Sequence, residues 1–359
     1  KSHLVSVGGA IQAGQAVMKG EVDKSFALVR PPGHHAFRVT YGDRGFCIVN
    51  VEAVMLENLR QQFGDMRVAI IDTDAHHGDG TEDIYWNDPD TLFISFHQDG
   101  RTLFPGTGFV EDFGGPSAVG YNINIPLAPE TGEEGFLYVL DHVVLPILEE
   151  YKPDLIINSA GQDNHYTDPL TNMNFTAQGY AKLNEKLNPD IAVLQGGYSI
   201  EGALPYVNTG IILAMAGIDY TNVIEPDYDP EKLIQSQEVT DYTKQISEIV
   251  LKQWKNRKRL QKELIAGKEI IEKPQKVFYD TDGIMETQTQ YFTVCQKCSG
   301  VNMIQSRNNS GLSIYAITIP RDACSKCVDQ GYKKYRDIPD GRYFRVYLQD
   351  RVNDHYKSK

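Results

Sequence analysis

The segment richest in groups that could do chemistry is Asp72–Gly80, which reads DTDAHHGDG. It continues directly from the apolar run Val68–Ile71, which predicts a buried strand. Alternate residues of an extended chain share one side, so Asp74 and His76 would present a carboxylate and an imidazole together. Zn²⁺ accepts both, and Asp163, just beyond another predicted strand, would be the third ligand. Three protein ligands leave one coordination position open for a catalytic water.

Two further motifs carry groups suited to acid–base and carbonyl chemistry. His34 and His35 lie in RPPGHHA, again directly after a predicted strand. Adjacent histidines beside a metal-activated water can act as base and acid, and each needs a carboxylate to fix its tautomer. Asp72 and Asp79 are the spare acids for that purpose. Tyr198 follows two glycines in LQGGY, and its phenol could donate a hydrogen bond to a carbonyl oxygen that is becoming negative.

Four of the five cysteines form two C-x-x-C pairs, Cys295 with Cys298 and Cys324 with Cys327. Such pairs are the knuckles of thiolate zinc sites, so they favour a structural Zn²⁺ over disulfides or free thiols. The intervening segment contains NNSG, which predicts a hairpin tip between two strands. Basic residues nearby could meet nucleic acid or an acidic protein. Packing against the catalytic domain or against a sister subunit in a homo-oligomer is the alternative.

The elements that must position these groups alternate between strands and helices over residues 1–220. The predicted strands are short runs rich in β-branched residues: Phe26–Arg30, Val68–Asp72, Leu92–Phe96, Asp154–Ser159 and Ile191–Gln195. The predicted helices are Ile11–Lys19, Val51–Phe63, Gly135–Glu150 and Thr176–Leu187. This order predicts an α/β fold with helices on both faces of a mostly parallel sheet, in three layers. Ligands of such sheets bind beyond the carboxyl ends of the strands, where the motifs above lie.

The rest of the chain changes in character. Apolar residues at roughly helical spacing from Val239 to Leu260 predict a long amphipathic helix, and we assign 221–290 as a helical linker. Residues 291–359, with the cysteine pairs and Tyr-rich segments, predict a small zinc-ribbon-like domain.

Charge differs between the two halves of the chain. Residues 1–220 hold 12 Lys+Arg against 29 Asp+Glu, and residues 221–359 hold 23 against 19, giving net charges of −17 and +4. An acidic catalytic half would attract a cationic substrate, although solubility alone is the alternative explanation. With no apolar run of membrane-spanning length and no signal-like segment, we expect a cytoplasmic protein without a membrane partner.

Together these motifs resemble the histone deacetylase superfamily, in order and spacing, over residues 1 to about 215. The resemblance is closest to its bacterial and archaeal branch of class II-like deacetylases and acetylpolyamine amidohydrolases. The fold that it implies is arginase/deacetylase-like. The motifs are RPPGHHA, GFC at Gly45–Cys47, DTDAHHGDG, SFH at Ser95–His97, FPGTG at Phe104–Gly108, SAGQD, DPL at Asp168–Leu170 and LQGGY.

The resemblance implies a role for each matching residue. Asp74, His76 and Asp163 would bind the catalytic Zn²⁺. His34 and His35 would be the acid–base pair with Asp72 and Asp79 as partners, and Tyr198 would polarise the substrate carbonyl. Four residues would line the narrow acyl-lysine tunnel: Gly45, Phe46, Phe104 and Gly197. Relatives often hold K⁺ near the zinc, which implies oxygen ligands from Asp72, Asp74, His76, Ser95 and Phe96.

Three departures from the family pattern carry expectations of their own. Gln162 stands where relatives commonly have Phe, and we expect it to alter the rim of the site. Arg44, where a small or apolar residue is usual, is a candidate for touching substrate. Family members also carry a strand and a helix ahead of the point where this sequence begins, and we expect these to lie outside this chain or to come from another chain.

Four functions follow as hypotheses. The first is removal of acetyl groups from acetyl-lysine in proteins, and the second is deacetylation of a small molecule such as an acetylpolyamine. The third is a non-catalytic scaffold that keeps the pocket. The fourth is an arginase-like di-metal hydrolase, which would need more metal-bridging carboxylates than this sequence offers.

Overall fold

A computed structural model describes residues 1–226 and 228–359, apart from the side chain of Lys232. The first part of the chain builds a six-stranded parallel sheet in the order β1-β6-β5-β2-β3-β4. Its strands are β1 Ser25–Ala27, β2 Val68–Asp72, β3 Thr91–Gln98, β4 Asn122–Leu127, β5 Leu155–Ala160 and β6 Ile191–Leu194. Since β2 lies between β5 and β3, its carboxyl end is at the centre of the sheet edge that bears the motifs.

Helices cover both faces of this sheet. The helices along the chain are α1 Ser2–Met18, α2 Val51–Phe63, α3 Asp79–Tyr85, α4 Glu133–Val139, α5 Leu145–Tyr151, α6 Ala177–Leu187, α7 Leu204–Met215 and α8 Gln237–Ile265. A π-helical turn, Leu140–Val144, joins α4 to α5, and a 3₁₀ turn, Pro230–Leu233, precedes α8. The predicted three-layer α/β/α fold with a parallel sheet is therefore confirmed.

Side chains alternate between the two faces of each strand, which explains why the sheet has a hydrophobic core on each side. In β2, Val68 and Ile70 pack in the core shared with α1 and α2, while Ala69 and Ile71 pack in the core shared with α4 to α8. All four are fully buried. A strand apolar on both faces reads as a continuous hydrophobic run, which is why β2 was predicted with its observed bounds.

Several elements differ from the prediction. β4, α3 and α7 were not predicted. In β4 (NINIPL) asparagines alternate with apolar residues, and both asparagines are buried, so the strand lacks a continuous apolar signal. The predicted helix Gly135–Glu150 corresponds to three consecutive helical segments in the structure, α4, the π-helical turn and α5.

The assignment of 221–290 as a helical linker is wrong, because α8 packs in the core of the first domain and the second half of the range forms strands. After α8 the chain forms β7 Ile270–Tyr279 and β8 Ile284–Thr293, which open a second six-stranded sheet in the order β12-β11-β10-β9-β8-β7. The remaining elements are β9 Asn302–Asn308, β10 Ser313–Ile319, α9 Ser325–Asp337, β11 Arg345–Asp350 and β12 His355–Ser358. The buried face of β8 carries Glu286, Gln288 and Gln290, so hydrophobic alternation could not reveal the strand.

The C-terminal sheet is mixed and carries the cysteine cluster at one end. β10 pairs antiparallel with β9 and parallel with β11, and the turn at 309–312 between β9 and β10 matches the predicted hairpin tip. The small core beneath it consists of Val301, Met303, Ile317, Ile319, Cys327 and Leu348. None of the described helices is long and apolar enough to cross a membrane.

Helix α8 is part of the catalytic domain's core. Ile246 is 8% exposed and packs with Val250 and Trp254 in the core formed with α4 to α7. Ile249, one turn along, is 36% exposed. The helix therefore closes one face of the catalytic domain.

We expect Ile246→Ala to lower the free energy of unfolding by about 2–5 kcal/mol, because it leaves a cavity in that core. Ile249→Ala is the matched control and should cost about 0.5 kcal/mol or less, as is usual for surface changes. Urea denaturation measures both. Equal effects of the two substitutions would contradict the packing of α8 on this domain.

Candidate active site

Asp74, His76 and Asp163 converge at the carboxyl ends of β2 and β5. One ligand atom from each lies within 4.8 Å of the others, and all three residues are buried. His76 Nδ1 lies 3.1 Å from Asp74 Oδ1 and 2.9 Å from Asp163 Oδ2. The register pairs Asp72 with Ser159, so the segments that follow the two strands leave the sheet side by side. The three residues, predicted from two separate motifs, therefore meet at one point.

Two glycines make room for the paired carboxylates. A Cβ on Gly196 would lie 2.2 Å from Asp163 Oδ2 and 2.7 Å from Asp74 Oδ2. A Cβ on Gly161 would lie 2.2 Å from Asp74 Oδ2. Such distances exclude any side chain, so the glycines of SAGQD and LQGGY admit the two carboxylates to the same space.

The electrostatics of this cluster suit a cation. Burial, followed by the neighbouring charge of Asp74, raises the pKa of Asp163 to about 6. Burial would also raise the pKa of Asp74, but His34 and His76 hold it well below its usual range. Two buried carboxylates are costly unless they are neutralised by a proton, a cationic group or a metal. The donor set of one imidazole and two carboxylates is one that Zn²⁺ binds.

The tandem histidines face this cluster, each held by its predicted acid. His34 Nδ1 lies 3.1 Å from Asp72 Oδ2, and His35 Nδ1 lies 2.7 Å from Asp79 Oδ1. The two ring centroids are 4.1 Å apart. Because each Nδ1 is engaged by a carboxylate, each Nε2 is left for the site. His34 Nε2 lies 3.8 Å from Asp74 Oδ2.

The two histidines differ in basicity. Burial lowers the pKa of His34, but the charges of Asp74 and Asp72 outweigh it and raise the pKa to about 10. Burial and the adjacent charge of His34 lower the pKa of His35 to about 3, despite Asp79. A cation held by Asp74 would weaken the pull of that carboxylate on His34. The arrangement favours a neutral imidazole at His35, and separated pKa values of this kind are typical of acid–base pairs.

A buried network that the motifs did not predict supports the tandem histidines. Gln195 Oε1 accepts hydrogen bonds from the amides of Gly33 and His34, at 2.9 and 3.2 Å. Its Nε2 donates to Glu52 Oε2 at 3.1 Å. Burial and the charge of Asp72 raise the pKa of Glu52 to about 7. A glutamate in the apolar stretch that opens α2 was the only sequence signal for this network.

Aromatic rings and glycines surround the approach to the histidines. The Phe104 ring centroid lies 5.2 Å from that of His35 and 6.3 Å from that of His76. A Cβ on Gly45 would lie 2.4 Å from His35 Cδ2 and 3.0 Å from Phe104 Cε1. The half-exposed ring of Phe46 lies opposite that of Tyr198, with centroids 5.6 Å apart. The predicted tunnel residues thus lie near the candidate metal-binding group.

Tyr198 reaches this wall from the end of β6. Its amide donates to Asp168 Oδ2 at 2.7 Å, and the Arg30 guanidinium carbon lies 5.4 Å from its ring centroid. Burial raises the pKa of its phenol, so it stays protonated and able to donate. Gly197, with φ at +127°, makes the turn between Gly196 and the tyrosine. Asp168, from the DPL motif, is thereby a positioning residue.

Two expectations about departures from the family pattern were wrong. Gln162 is fully buried and donates to Asn208 Oδ1, because it packs beneath Gly197 and not at the rim. Arg44 is only 5% exposed, and its guanidinium is bound to Asp79. It lies behind the Phe104 ring, 5.0 Å from the centroid, so it supports the wall from outside.

The implied potassium ligands lie along β2 and β3. Asp72 and Ser95 are partners in the parallel register, and Asp72 Oδ1 accepts the amide of Asp74 at 3.0 Å. Phe96 is fully buried, and Ser95 Oγ lies 2.8 Å from His97 Nδ1. A K⁺ site at Asp72, Asp74, His76, Ser95 and Phe96 stays a prediction.

The four cysteines of the C-terminal sheet form a second candidate metal centre. Their sulfur atoms all lie within 4.8 Å of one another, and none is in a disulfide. Cys295 Sγ is 3.9 Å from Cys324 Sγ and accepts the amide of Lys297 at 3.5 Å. Burial would raise the pKa of Cys295, but that amide and the neighbouring thiols lower it to about 7. Four converging cysteine sulfur atoms suit a tetrahedral structural Zn²⁺.

The chain is similar in sequence to several known proteins. The chain is 50% identical over 240 residues to a probable deacetylase from Archaeoglobus fulgidus, a match that covers 64% of this chain and 66% of that protein. It is 35% identical over 223 residues to the histone deacetylase-like amidohydrolase of Pseudomonas aeruginosa, covering 60% and 58% of the two chains. It is 36% identical over 231 residues to the acetoin utilization protein AcuC of Bacillus subtilis, covering 62% and 59%.

The chain is also similar to a solved structure and matches a family model. The crystal structure of the HDA15 HD domain superposes with a TM-score of 0.62 at 29% identity, covering 73% of this chain and 72% of that one. The matched part of the chain spans less than two thirds of the length of these curated relatives. The model of the histone deacetylase domain matches residues 1–213. The chain therefore belongs to the histone deacetylase family, as its motifs predicted.

Proposed function

We propose that this protein is a zinc-dependent deacylase that removes acetyl groups from acetyl-lysine side chains of proteins. The observation that carries the proposal is the convergence of Asp74, His76 and Asp163 beside His35 and Tyr198, within an aromatic wall. The relatives support the reaction class, since their names describe deacetylases and an amidohydrolase. The catalytic metal, the substrate and the cellular location are proposals of ours.

The donor set and its surroundings fit a catalytic zinc. Zn²⁺ at Asp74, His76 and Asp163 would polarise the acyl carbonyl and acidify a water molecule. The glycine-lined space around the carboxylates and their buried charges are the features that match such an ion. Among the described residues, these three are the only Asp, Glu and His group that could hold a metal. This favours one catalytic ion over an arginase-like pair.

The chain's own residues would carry the proton transfers. His35, neutral and oriented by Asp79, takes a proton from water at Nε2 while the water oxygen attacks the carbonyl carbon. Tyr198 donates a hydrogen bond to the carbonyl oxygen as it becomes negative. His35 then returns its proton to the amine nitrogen as the C–N bond breaks. The products are acetate and a free amine.

The walls of the proposed tunnel favour a substrate with a slender, uncharged stem that ends in an amide. Phe46 and Phe104 would offer apolar surface to the four methylenes of lysine, and the glycines would keep the passage narrow. The acidic character of the catalytic half would attract basic peptides. It would attract acetylpolyamines as well, so the assay should include both substrate classes.

Turnover of acetyl-lysine peptides should depend on Tyr198 and on the metal ligands. We expect Tyr198→Phe to lower kcat about 10²–10³-fold, the usual cost of losing one donor to an oxyanion. Acetate release from peptides and from acetylpolyamines, measured as kcat/KM with Zn²⁺ present, is the test.

Asp163→Ala is the companion variant in the same assay and should lose both turnover and the catalytic ion. If neither substrate class is hydrolysed by the wild type, the proposal fails. Faster turnover of acetylpolyamines would instead reassign the substrate. Full activity in Tyr198→Phe would favour a scaffold role for the intact pocket.

Metal affinity should be sensitive to the glycine that admits the two carboxylates. A methyl group at Gly196 would displace Asp163, so we expect Gly196→Ala to weaken Zn²⁺ binding at this site about 10–100-fold. Titration of the demetallated protein against a competing chelator measures this. Gly8→Ala is the control, because a Cβ there meets no atom within 4 Å. Equal affinities for the two variants would argue against the assigned ligands.

The cysteine cluster should hold a second zinc that stabilises the C-terminal sheet. We expect Cys327→Ser to lower the zinc content from about two ions to about one per chain and to lower Tm, since structural zinc contributes folding energy. Metal analysis and calorimetry measure the two effects. Cys47→Ser, which lies outside the cluster, should keep both ions. Unchanged zinc content in Cys327→Ser would contradict a metal site at the four thiols.

A further inference from the structure

The C-terminal sheet contacts the catalytic domain next to the active site. Its first two strands, β7 and β8, form a hairpin whose turn, residues 280–283, lies against the loop 41–47 of the catalytic domain. That loop contains the tunnel residues Gly45 and Phe46. The hairpin therefore touches the wall of the proposed tunnel from the outside.

The hairpin accepts hydrogen bonds from three consecutive residues of the loop. The amide of Asp43 donates to Asp282 Oδ2 at 2.7 Å, and the amide of Gly45 donates to Asp280 Oδ1 at 2.9 Å. Between them, Arg44 Nη1 donates to the carbonyl oxygen of Phe278. Carboxylate acceptors make strong hydrogen bonds to amides, so the hairpin binds this loop at consecutive residues.

The loop needs such support because its turn is strained. Arg44 and Cys47 pair across the turn, and the two residues between them have positive φ, +50° for Gly45 and +66° for Phe46. Glycine adopts this conformation freely, but phenylalanine does so at a cost, and such strain persists only where the surroundings hold it. The hydrogen bond to Asp280 is made by the residue just before Phe46.

A second series of contacts connects the hairpin to His35, the proposed general base. Arg44 Nε and Nη2 donate to Asp79 Oδ2 at 2.9 and 2.6 Å, and the other oxygen of Asp79 is the one that holds His35. The path Phe278–Arg44–Asp79–His35 is buried over its last three members. A planar guanidinium that bridges two acceptors fixes their separation more rigidly than an ammonium would.

We infer that the β7–β8 hairpin is a positioning element of the active site, which sets the shape of the tunnel through Asp280 and the orientation of His35 through Arg44. Its effect on turnover rests on the proposed deacylase function. The C-terminal domain would thereby determine which acyl-lysine substrates the catalytic domain accepts. Neither Asp280 nor Arg44 would touch the reacting atoms.

The turn of the hairpin offers a matched pair of variants for the tunnel. Asp280 and Asp282 are both exposed, and each accepts one amide of the same loop, but only Asp280 binds the amide of a tunnel residue. In the full-length protein we expect Asp280→Ala to lower kcat/KM for an acetyl-lysine peptide about tenfold, mainly through KM. Asp282→Ala should stay within about twofold of the wild type, and Asp280→Asn, which keeps an acceptor oxygen, should restore most of the loss.

Hydrogen exchange reports on the same contact without any need for activity. The amides of residues 43–47 should exchange about tenfold faster in Asp280→Ala than in Asp280→Asn, because the Gly45 amide loses its acceptor. Arg44→Lys should lower kcat about tenfold, since lysine cannot bridge Asp79 and the Phe278 carbonyl as the guanidinium does, and the orientation of His35 is disturbed. Tm of each variant confirms that it is folded.

Acetate release and hydrogen exchange together distinguish a failure of the deacylase proposal from a failure of the hairpin inference. If wild type and variants alike release no acetate, the deacylase proposal fails, and hydrogen exchange alone decides whether the hairpin holds the loop. If the wild type is active and Asp280→Ala matches Asp282→Ala in both KM and exchange, the hairpin has no positioning role and the inference is overturned.

Discussion

Two carboxylates are buried side by side, and the catalytic part of the molecule is arranged around that fact. Asp74 and Asp163 arrive from neighbouring parallel strands and are fully buried. Their mutual repulsion is tolerable only beside compensating positive charge. His76 lies between them, His34 stands 3.8 Å from Asp74, and the glycines at 161 and 196 leave room for both carboxylates. Two buried carboxylates lower the stability of a fold when no cation neutralises them. The same pair is useful when it binds a metal ion.

Support for this centre comes from a series of buried polar groups, each of which orients the next. Asp72 and Asp79 hold the tandem histidines, and Gln195 holds the backbone on which they lie. Glu52 in turn holds Gln195. Each partner is buried and satisfied, so the histidines have little freedom to turn away from the site. Such rigidity is what proton transfer over a hydrogen-bond length requires.

The C-terminal domain adds to this support from outside the family's matched region. The match to the histone deacetylase domain ends at residue 213, whereas the groups that grip the tunnel loop lie at 278–282. Further polar contacts join the same hairpin strands to α3, where buried Asp83 accepts from Gln275 at 3.0 Å and also from Gln290. Because α3 begins at Asp79, the second domain rests on the helix that carries the partner of His35.

By itself, the sequence determined the family, the parallel sheet and the identity of the candidate site residues. It could do so because buried strands such as Val68–Asp72 are continuous apolar runs and because catalytic side chains follow strand ends, both of which are local properties of the chain. Only the tertiary structure decided the neighbours of those residues. Arg44, Glu52 and Asp280 acquire their roles from partners 35, 143 and 235 positions away, and no local pattern encodes such distances. Strands β7 and β8 of the second sheet escaped prediction for a related reason, since the buried face of β8 is polar and its Gln290 contacts Asp83 of the other domain.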